Sequence, residues 1–315
     1  MDPLLDLIHL LRPRAALFGA GLDAYGRWGL SFRKRDDLLF CWIERGECLL
    51  TRRGYKPVLL QQGDFALIYT STAFALVSDA SVTPVDSEKA VASTKKVRLK
   101  LGAGRERPVR LHAGKFLMDS ANTPLLASLV PALVHIASSD ASRERIRSLL
   151  TMTEEEARQP GAASKFIIER LIELILVEIL RTQRLAVGDG LTGLLAGLAD
   201  PVTERALVAM HRRVAHDWTV DELARLCAVS RSTFAVRFRA VLGTTPIAYL
   251  LQWRIALAKD HLTRGTKSIT DIAFTIGFQS SSAFSTAFTR AVGCSPRRFA
   301  REANQGGDIV PCQCE

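Results

Sequence analysis

The sequence predicts an α+β protein with an N-terminal β-barrel, a helical segment after it, and a C-terminal domain built only from helices. Short apolar segments alternate with glycine-containing turns between residues 15 and 78, which is typical of strands. Apolar residues recur with the period of a helix from residue 124 onward, and residues 218–301 contain one helical pattern twice. A chain of 315 residues is long enough for two domains.

The N-terminal half reads as one helix followed by short strands. Leucines at helical spacing within residues 1–12 predict a short amphipathic helix, which Pro13 ends. The polar stretch 80–96 is predicted to be a loop. Closely spaced short strands favour an antiparallel barrel or a sandwich. The predicted strands are residues 17–20, 28–33, 38–44, 47–52, 56–60, 65–69, 97–101 and 109–111.

Helices are expected to complete the first domain, residues 1–186. Residues 125–134 carry an apolar helical stripe, residues 146–150 suggest a short helix, and residues 163–185 form the longest predicted helix. That helix is apolar on more than one face, so we expect it to pack on its own barrel and on a second subunit. The residues predicted for this homodimer interface are Ile168, Leu171, Ile172, Ile175 and Ile179.

Glycine-rich residues 187–200 are predicted to link the two domains, and residues 303–315 to form a disordered tail. The second domain, residues 201–302, holds the duplicated pattern, in which residues 220–224 align with residues 269–273. Each copy has a short helix, a turn and a second helix, so the domain is predicted to contain two helix-turn-helix units.

Each second helix carries two phenylalanines four residues apart, which places both on one face. The pairs are Phe234/Phe238 and Phe284/Phe288. A serine before each second helix, Ser230 in the first copy and Ser280 or Ser281 in the second, is suited to cap it.

A long helix is predicted between the copies, from Pro246 to a stop at Gly265. It would hold the two units at a fixed separation. If that separation is about one turn of B-DNA, both second helices can enter successive major grooves. Arg254 on this helix is interpreted as structural or directed at a phosphate.

The C-terminal motifs resemble those of the AraC/XylS family of transcription regulators. They include Asp221-Glu-Leu-Ala, Ser230-Arg-Ser-Thr-Phe, Gly243-Thr-Thr-Pro-Ile-Ala-Tyr, Ile276-Gly-Phe-Gln-Ser and Pro296-Arg-Arg-Phe. The resemblance implies a sequence-specific regulator, more often an activator than a repressor. It also implies double-stranded DNA, a second copy of the chain and RNA polymerase as partners.

The N-terminal half resembles the cupin-type sensor domain found in many members of that family. Phe40-Cys-Trp-Ile-Glu-Arg-Gly-Glu-Cys-Leu-Leu and Gly63-Asp64-Phe-Ala-Leu-Ile-Tyr carry the resemblance. It implies an unknown small-molecule effector. The aromatic residues of this half could line an apolar pocket for it, or they could simply fill the core. The candidate pocket residues are Trp28, Phe32, Phe40, Trp42, Tyr69 and Phe74.

Contacts with DNA are expected from the exposed faces of the two second helices. Ala235 and Val236 can touch a thymine methyl group but cannot hydrogen-bond a base edge. Arg231, Arg237 and Arg239 are expected mostly on phosphates, and Ser282 is expected to influence base preference. The full set is Arg231, Ser232, Thr233, Ala235, Val236, Arg237, Arg239, Gln279, Ser280, Ser281, Ser282, Ser285, Thr286, Arg290 and Arg297.

Composition agrees with an anionic partner, because the formal charge is +10 and the isoelectric point about 9.6. The sequence has no transmembrane run and no signal-peptide pattern, so a cytoplasmic protein without membrane contact is expected.

Two other functions are alternatives to this one. A cupin enzyme needs metal ligands, but no histidine occurs between His9 and His112, so we expect no metal, no cofactor and no catalysis. A redox- or metal-responsive regulator could instead act through Cys41, Cys48, Cys312 or Cys314.

Overall fold

The computed structural model describes residues 2–35, 37–92, 98–118, 132–139, 144–185 and 193–304. These residues form two compact units. The sheet unit holds the described parts of Pro13–Leu117 and Val130–Ile179. The helical unit holds the described parts of Met1–Arg12, Met118–Leu129 and Leu180–Glu315.

Two sheets form the sheet unit. The larger has the order β10-β2-β11-β4-β7-β12, with β1 also paired to β11, and the smaller has the order β6-β5-β8-β3-β9. Most pairs are antiparallel, but β10 with β2 and β3 with β9 are parallel. The strands are β1 Arg14–Leu17, β2 Leu22–Tyr25, β3 Gly29–Phe32, β4 Leu38–Arg45, β5 Glu47–Arg52, β6 Val58–Gln61, β7 Phe65–Tyr69, β8 Phe74–Val77, β9 Val85–Asp86, β10 Leu99–Gly102, β11 Val109–Leu117 and β12 Leu133–Ile136.

The predicted closed β-barrel is wrong. The sheets pack on one apolar core, to which Leu22, Ile43, Leu50, Phe74 and Leu111 contribute, but they are not joined at their edges. A run of short strands is compatible with a barrel and with a sandwich, because both bury alternate residues.

Helix α4 (Ser164–Leu185) agrees with the helix predicted over residues 163–185, whereas α3 (Glu144–Arg158) is longer than the helix predicted over residues 146–150 and α2 (Ser87–Ala92) was not predicted. The predicted loop over residues 80–96 contains β9 and α2. The helical stripe predicted over residues 125–134 ends in a strand, β12, and most of it lies outside the described residues.

Strand β4 is apolar on both of its faces. Cys41 and Ile43 face the core between the sheets, so Phe40 and Trp42, which alternate with them, lie on the opposite face. There Phe40 packs at 5.1 Å, centroid to centroid, from Phe116.

The six candidate pocket residues therefore do not share one pocket. Trp28, Phe32 and Phe74 belong to the core between the sheets, and the rings of Phe32 and Phe74 stack at 4.5 Å. The alternation of β4 and β7 places the other three on the outer face of the larger sheet. These three are Phe40, Trp42 and Tyr69.

The predicted dimer residues of α4 are buried inside a single chain. Their exposed fractions are at most 7%, and Ile172, Ile175 and Ile179 are at 0%. They are therefore not available to a second subunit. Helix α4 is instead held against its own sheet, where Glu173 accepts a hydrogen bond from the Ala15 amide at 3.0 Å.

The helical unit consists of nine helices within the described residues. Its first helix comes from the N-terminal residues Pro3–Leu11 and packs on helices Pro201–Arg212 and Pro246–Arg264 through buried leucines such as Leu7. The helices are α1 Pro3–Leu11, α5 Leu194–Ala199, α6 Pro201–Arg212, α7 Val220–Leu226, α8 Arg231–Leu242, α9 Pro246–Arg264, α10 Ile269–Thr275, α11 Ser281–Val292 and α12 Pro296–Asn304.

Residues 193–200 are part of the packed unit although they lie in the predicted linker 187–200. Helix α5 is buried, and a Cβ at Gly197 would lie 2.8 Å from Leu207 and 2.9 Å from Leu242. Residues 187–192 of the linker and residues 305–315 of the tail lie outside the described residues, whereas residues 303 and 304 belong to α12.

Both helix-turn-helix units form where predicted. Helices α7 and α8 make the first, α10 and α11 the second, and Ser230 and Ser280 cap α8 and α11. All four phenylalanines of the repeated pairs are fully buried. Among the described residues no single helix is long and apolar enough to cross a membrane, although the bent pair α8–α9 reaches that length and composition when its two helices are taken together.

The turns of the two units place different residues in the left-handed conformation. Ala228 in the first and Gly277 in the second both have positive φ, at 57° and 92°. A Cβ on Gly277 would lie 2.6 Å from the Ala215 carbonyl oxygen and 2.7 Å from Nη2 of Arg254. Glycine is thus required in the second turn by conformation and by packing together.

Arg254 fixes the second unit to the first. It is half-buried on α9, and it donates from Nε to the Val214 carbonyl at 2.9 Å and from Nη2 to the His216 carbonyl at 2.8 Å. Of the two predicted roles, the structure supports the structural one.

We predict that Gly277→Ala lowers the free energy of unfolding by about 3 kcal/mol, because the left-handed conformation and the steric conflict add. Ala228→Gly is the matched control, and it should change stability by less than about 1 kcal/mol, since relief of strain and added chain entropy oppose each other. Calorimetric unfolding of the full chain measures both. Equal effects of the two substitutions would contradict the packing argument.

Candidate nucleic-acid interface

The interface is built on the outward faces of α8 and α11. Phe234 and Phe238 anchor one face of α8, and Phe284 and Phe288 anchor the corresponding face of α11. The fifteen predicted contact residues lie on the remaining faces, in the capping turns or at the start of α12. Twelve of the fifteen are exposed, and Ala235, Ser281 and Ser285 are half-buried.

Helix α9 sets the spacing of these faces. Its 19 residues correspond to a rod about 28 Å long. Thr245 caps its first turn, Pro246 occupies the first position and Gly265 closes it in the left-handed conformation. Side chains of α9 are buried along its length, from Leu250 and Trp253 near its start to Leu262 near its end.

The arginines of α8 are not equivalent. Arg237 donates to Asp200 Oδ2 from Nε at 2.8 Å and pairs with the same oxygen through Nη2 at 2.7 Å. Asp200 Oδ1 meanwhile accepts from the amides of Val202 and Thr203, both at 3.0 Å, as the cap of α6. Arg237, predicted on a phosphate, is thus already held by a carboxylate of the protein.

The pKa of Asp200 reflects this arrangement. Partial burial opposes its ionisation, but the Thr203 amide and Arg237 outweigh burial and hold the pKa below its ordinary value. The carboxylate is therefore charged at neutral pH and ties α8 to α6.

The other arginines of the predicted interface form a weaker ion pair or none within the described residues. Arg231 lies 3.3 Å from Asp221, but both side chains are more than half exposed, so this pair contributes little. Within the described ranges, Arg239, Arg290 and Arg297 have no carboxylate at ion-pair distance. These three are the cations most available to phosphates.

Hydroxyl groups are distributed unequally between the two helices. In α8, Ser230 Oγ lies 2.7 Å from Thr233 Oγ1 and 3.1 Å from Ser232 Oγ, so both hydroxyls join the cap. In α11, Ser285 donates to the Ser281 carbonyl at 2.7 Å. Ser282 and Thr286 are exposed, and their hydroxyls have no hydrogen-bond partner among the described residues.

A polar network that sequence reasoning missed lies on the outer face of the larger sheet. His112 Nε2 is 2.8 Å from Glu44 Oε2, and the imidazole stacks on Trp42 at 4.5 Å. Arg110 donates to Asp23 at 2.8 Å. Burial lowers the pKa of His112 despite Glu44, so a neutral imidazole is favoured. These residues come from three strands, and only their pairing brings them together.

Metal or thiol chemistry finds little support in the described residues. They contain no group of three His, Cys, Asp or Glu side chains arranged to hold a metal ion. Cys41 and Cys48 are buried, and burial raises the pKa of Cys41 to about 12 and that of Cys48 further. A reactive thiolate is disfavoured at both positions. Cys312 and Cys314 lie outside the described residues.

Two family models match the chain, one in each half. The model of the Cupin family matches residues 2–183, and the model of the helix-turn-helix domain matches residues 223–302.

Similar proteins cover almost the whole chain. An AraC-like transcription regulator of Streptomyces antibioticus is 38% identical over 297 residues, which are 94% of this chain and 97% of that protein. Its counterpart in Streptomyces lividans is 37% identical over the same shares. The transcriptional regulator AlkR of Acinetobacter baylyi is 29% identical over 96% of this chain and 99% of its own length.

Arg237 is paired with a carboxylate and, within the described residues, Arg239 is not, and this difference leads to a prediction about binding to duplex DNA of arbitrary sequence. Arg239→Gln should lower the slope of log affinity against log salt concentration by about one, because one phosphate contact is lost. Arg237→Gln, which removes a guanidinium already paired with Asp200, should lower it by less than half as much. Fluorescence anisotropy at four salt concentrations measures both slopes. A larger change for Arg237→Gln would show that it leaves Asp200 to bind DNA.

Proposed function

The chain belongs to the AraC-like family of DNA-binding transcription regulators with a cupin domain, and from that premise we propose that it activates transcription as a homodimer in response to a small molecule. It is not an enzyme. The observation that carries the proposal is the arrangement of α8 and α11: two capped helices with exposed polar faces, connected through α9 and Arg254.

Operator DNA is the ligand of these faces. The rod of α9 is about 28 Å long, which is comparable to the ~34 Å rise of one turn of B-DNA. Entry of both helices into successive major grooves would give an operator element with two half-sites about ten base pairs apart. Activation, the more frequent mode in the family that the sequence resembles, would require contact with RNA polymerase on such a promoter, in the cytoplasm.

The proposed effector would act on the sheet unit. Two buried indole nitrogens, Nε1 of Trp28 and Nε1 of Trp42, have no acceptor within the described part of the chain. Buried indole N–H groups normally have one. Trp28 lies in the core between the sheets and Trp42 beside His112, so each marks a place where a ligand acceptor would be stabilised.

Helix α4 supports the proposed dimer through residues other than those predicted. Phe166 is 61% exposed, Ile167 39% and Leu174 51%. Ile167 and Leu174 are seven residues apart, which is two turns of one face. We propose that this exposed face, rather than the buried isoleucines, meets its copy in the partner subunit.

DNA binding is tested by incubating the full chain with fragmented genomic DNA from its source and sequencing what it retains. We expect enriched sites with two half-sites about one helical turn apart. A variant with both Arg239→Glu and Arg290→Glu, which reverses two exposed charges and leaves both cores intact, should retain none. If wild type and variant retain the same fragments at the same level, the proposed operator recognition is wrong.

Dimerisation is tested by Leu174→Glu, with Ile172→Glu as its matched control. Leu174→Glu places a charge on the exposed face and should give a folded monomer in sedimentation velocity. Ile172→Glu buries an unpaired carboxylate and should unfold the sheet unit instead, as seen by circular dichroism. A folded dimer of Leu174→Glu would exclude this face.

A further inference from the structure

Val236 is the most exposed large apolar side chain of the described residues, at 71%. Single exposed apolar residues are common on protein surfaces, but this one stands in the middle of the helix that would enter the major groove. Phe234 and Phe238, two positions before and after it, are fully buried, so Val236 points away from the core. Ser232 and Arg239 flank it on the exposed face of α8.

Three of the polar side chains around Val236 are occupied within the protein, and the fourth, Arg239, is available to phosphates rather than to bases. Arg237 is paired with Asp200, and the hydroxyls of Ser232 and Thr233 belong to the Ser230 cap. The central part of α8 therefore presents methyl groups, those of Val236 and of the half-buried Ala235, rather than donors and acceptors.

The second unit has a nearly isosteric residue at the same place. Alignment of the phenylalanine pairs matches Val236 with Thr286, so the two side chains differ by a methyl group in place of a hydroxyl. Thr286 is exposed, and no described residue takes up its hydroxyl. Equivalent positions of the two units thus offer different chemistry to the groove.

The C5-methyl of thymine is the only methyl group on the base edges in the major groove of unmodified DNA. We propose that Val236 contacts this methyl group, so that the first unit selects a thymine by apolar contact while Thr286 of the second unit selects its base by hydrogen bonding. The inference rests on the proposed binding of operator DNA and adds the base that the first unit reads.

The contact is small and its effect can be calculated. Removal of one buried methyl group costs about 0.8 kcal/mol, which corresponds to a loss of affinity of about fourfold. Deoxyuridine pairs as thymine does but lacks the methyl group, and it therefore isolates this contribution.

The test uses the full chain and an operator duplex obtained from the genomic selection. Each thymine of both half-sites is replaced, one at a time, by deoxyuridine, and affinity is measured by anisotropy. We expect one position in the half-site of the first unit at which wild type loses about fourfold in affinity. For Val236→Ala the loss at that position should fall below about 1.5-fold, because the partner of the methyl group is gone.

Thr286→Val is the matched control at the equivalent position of the second unit. It should weaken binding to the unmodified operator and leave the response to deoxyuridine in the first half-site at about fourfold. Tight binding of wild type with no sensitive thymine in that half-site would overturn this inference alone, as would an unchanged loss in Val236→Ala. A chain that selects no duplex at all would overturn both this inference and the proposed function.

Discussion

The position of the second helix-turn-helix unit depends on the guanidinium of Arg254. It joins α9 to the carbonyl groups of Val214 and His216, and it lies against the backbone of Gly277. Burial of this cation is unfavourable and lowers the pKa of Arg254, and the two carbonyl hydrogen bonds offset that cost. Three segments that are far apart in sequence meet at this side chain. A shift of α9 relative to the segment before α7 would break these hydrogen bonds, and the close approach of Gly277 to the same guanidinium ties the turn of the second unit to this contact.

The two helix-turn-helix units have equivalent cores and different exposed surfaces. Each buries two phenylalanines one turn apart, with ring centroids 5.5 Å apart in the first and 5.6 Å in the second. The capping serines are equivalent as well. The units diverge at Ala228 and Gly277 in the turn and at Val236 and Thr286 on the exposed face. The two copies thus share the residues that orient each second helix and differ in one turn residue and on the exposed face.

The sequence predicted the helical unit well because its signals are local. Serine caps, Pro246 and Gly265 act within one turn of the residue that carries them. The faces of the strands in the sheet unit were harder to predict. Strand β4 is apolar on both faces, so its sequence lacks the alternation of apolar and polar residues that would reveal which face is which. Helix α4 presents the same ambiguity, because it carries apolar residues on more than one face. Only its packing on the sheet decides which of them remain exposed. Partners distant in sequence, such as Asp200 for Arg237 or Glu44 for His112, leave no local pattern, so the sequence does not predict these pairs.

Helix α1 belongs to the helical unit although it precedes the strands of the sheet unit in the sequence. It begins the sequence, yet its leucines are buried against α6 and α9. Polar contacts reinforce this packing. Asp6 lies 3.3 Å from His211, which contacts the Tyr249 hydroxyl at 2.7 Å, and Arg12 pairs with Asp260 at 2.9 Å. A fragment that starts at the predicted boundary near residue 200 would lack α1 and α5 and expose the apolar surfaces they cover. The helical unit that carries both helix-turn-helix pairs therefore includes residues from the N-terminal part of the chain as well as from its C-terminal third.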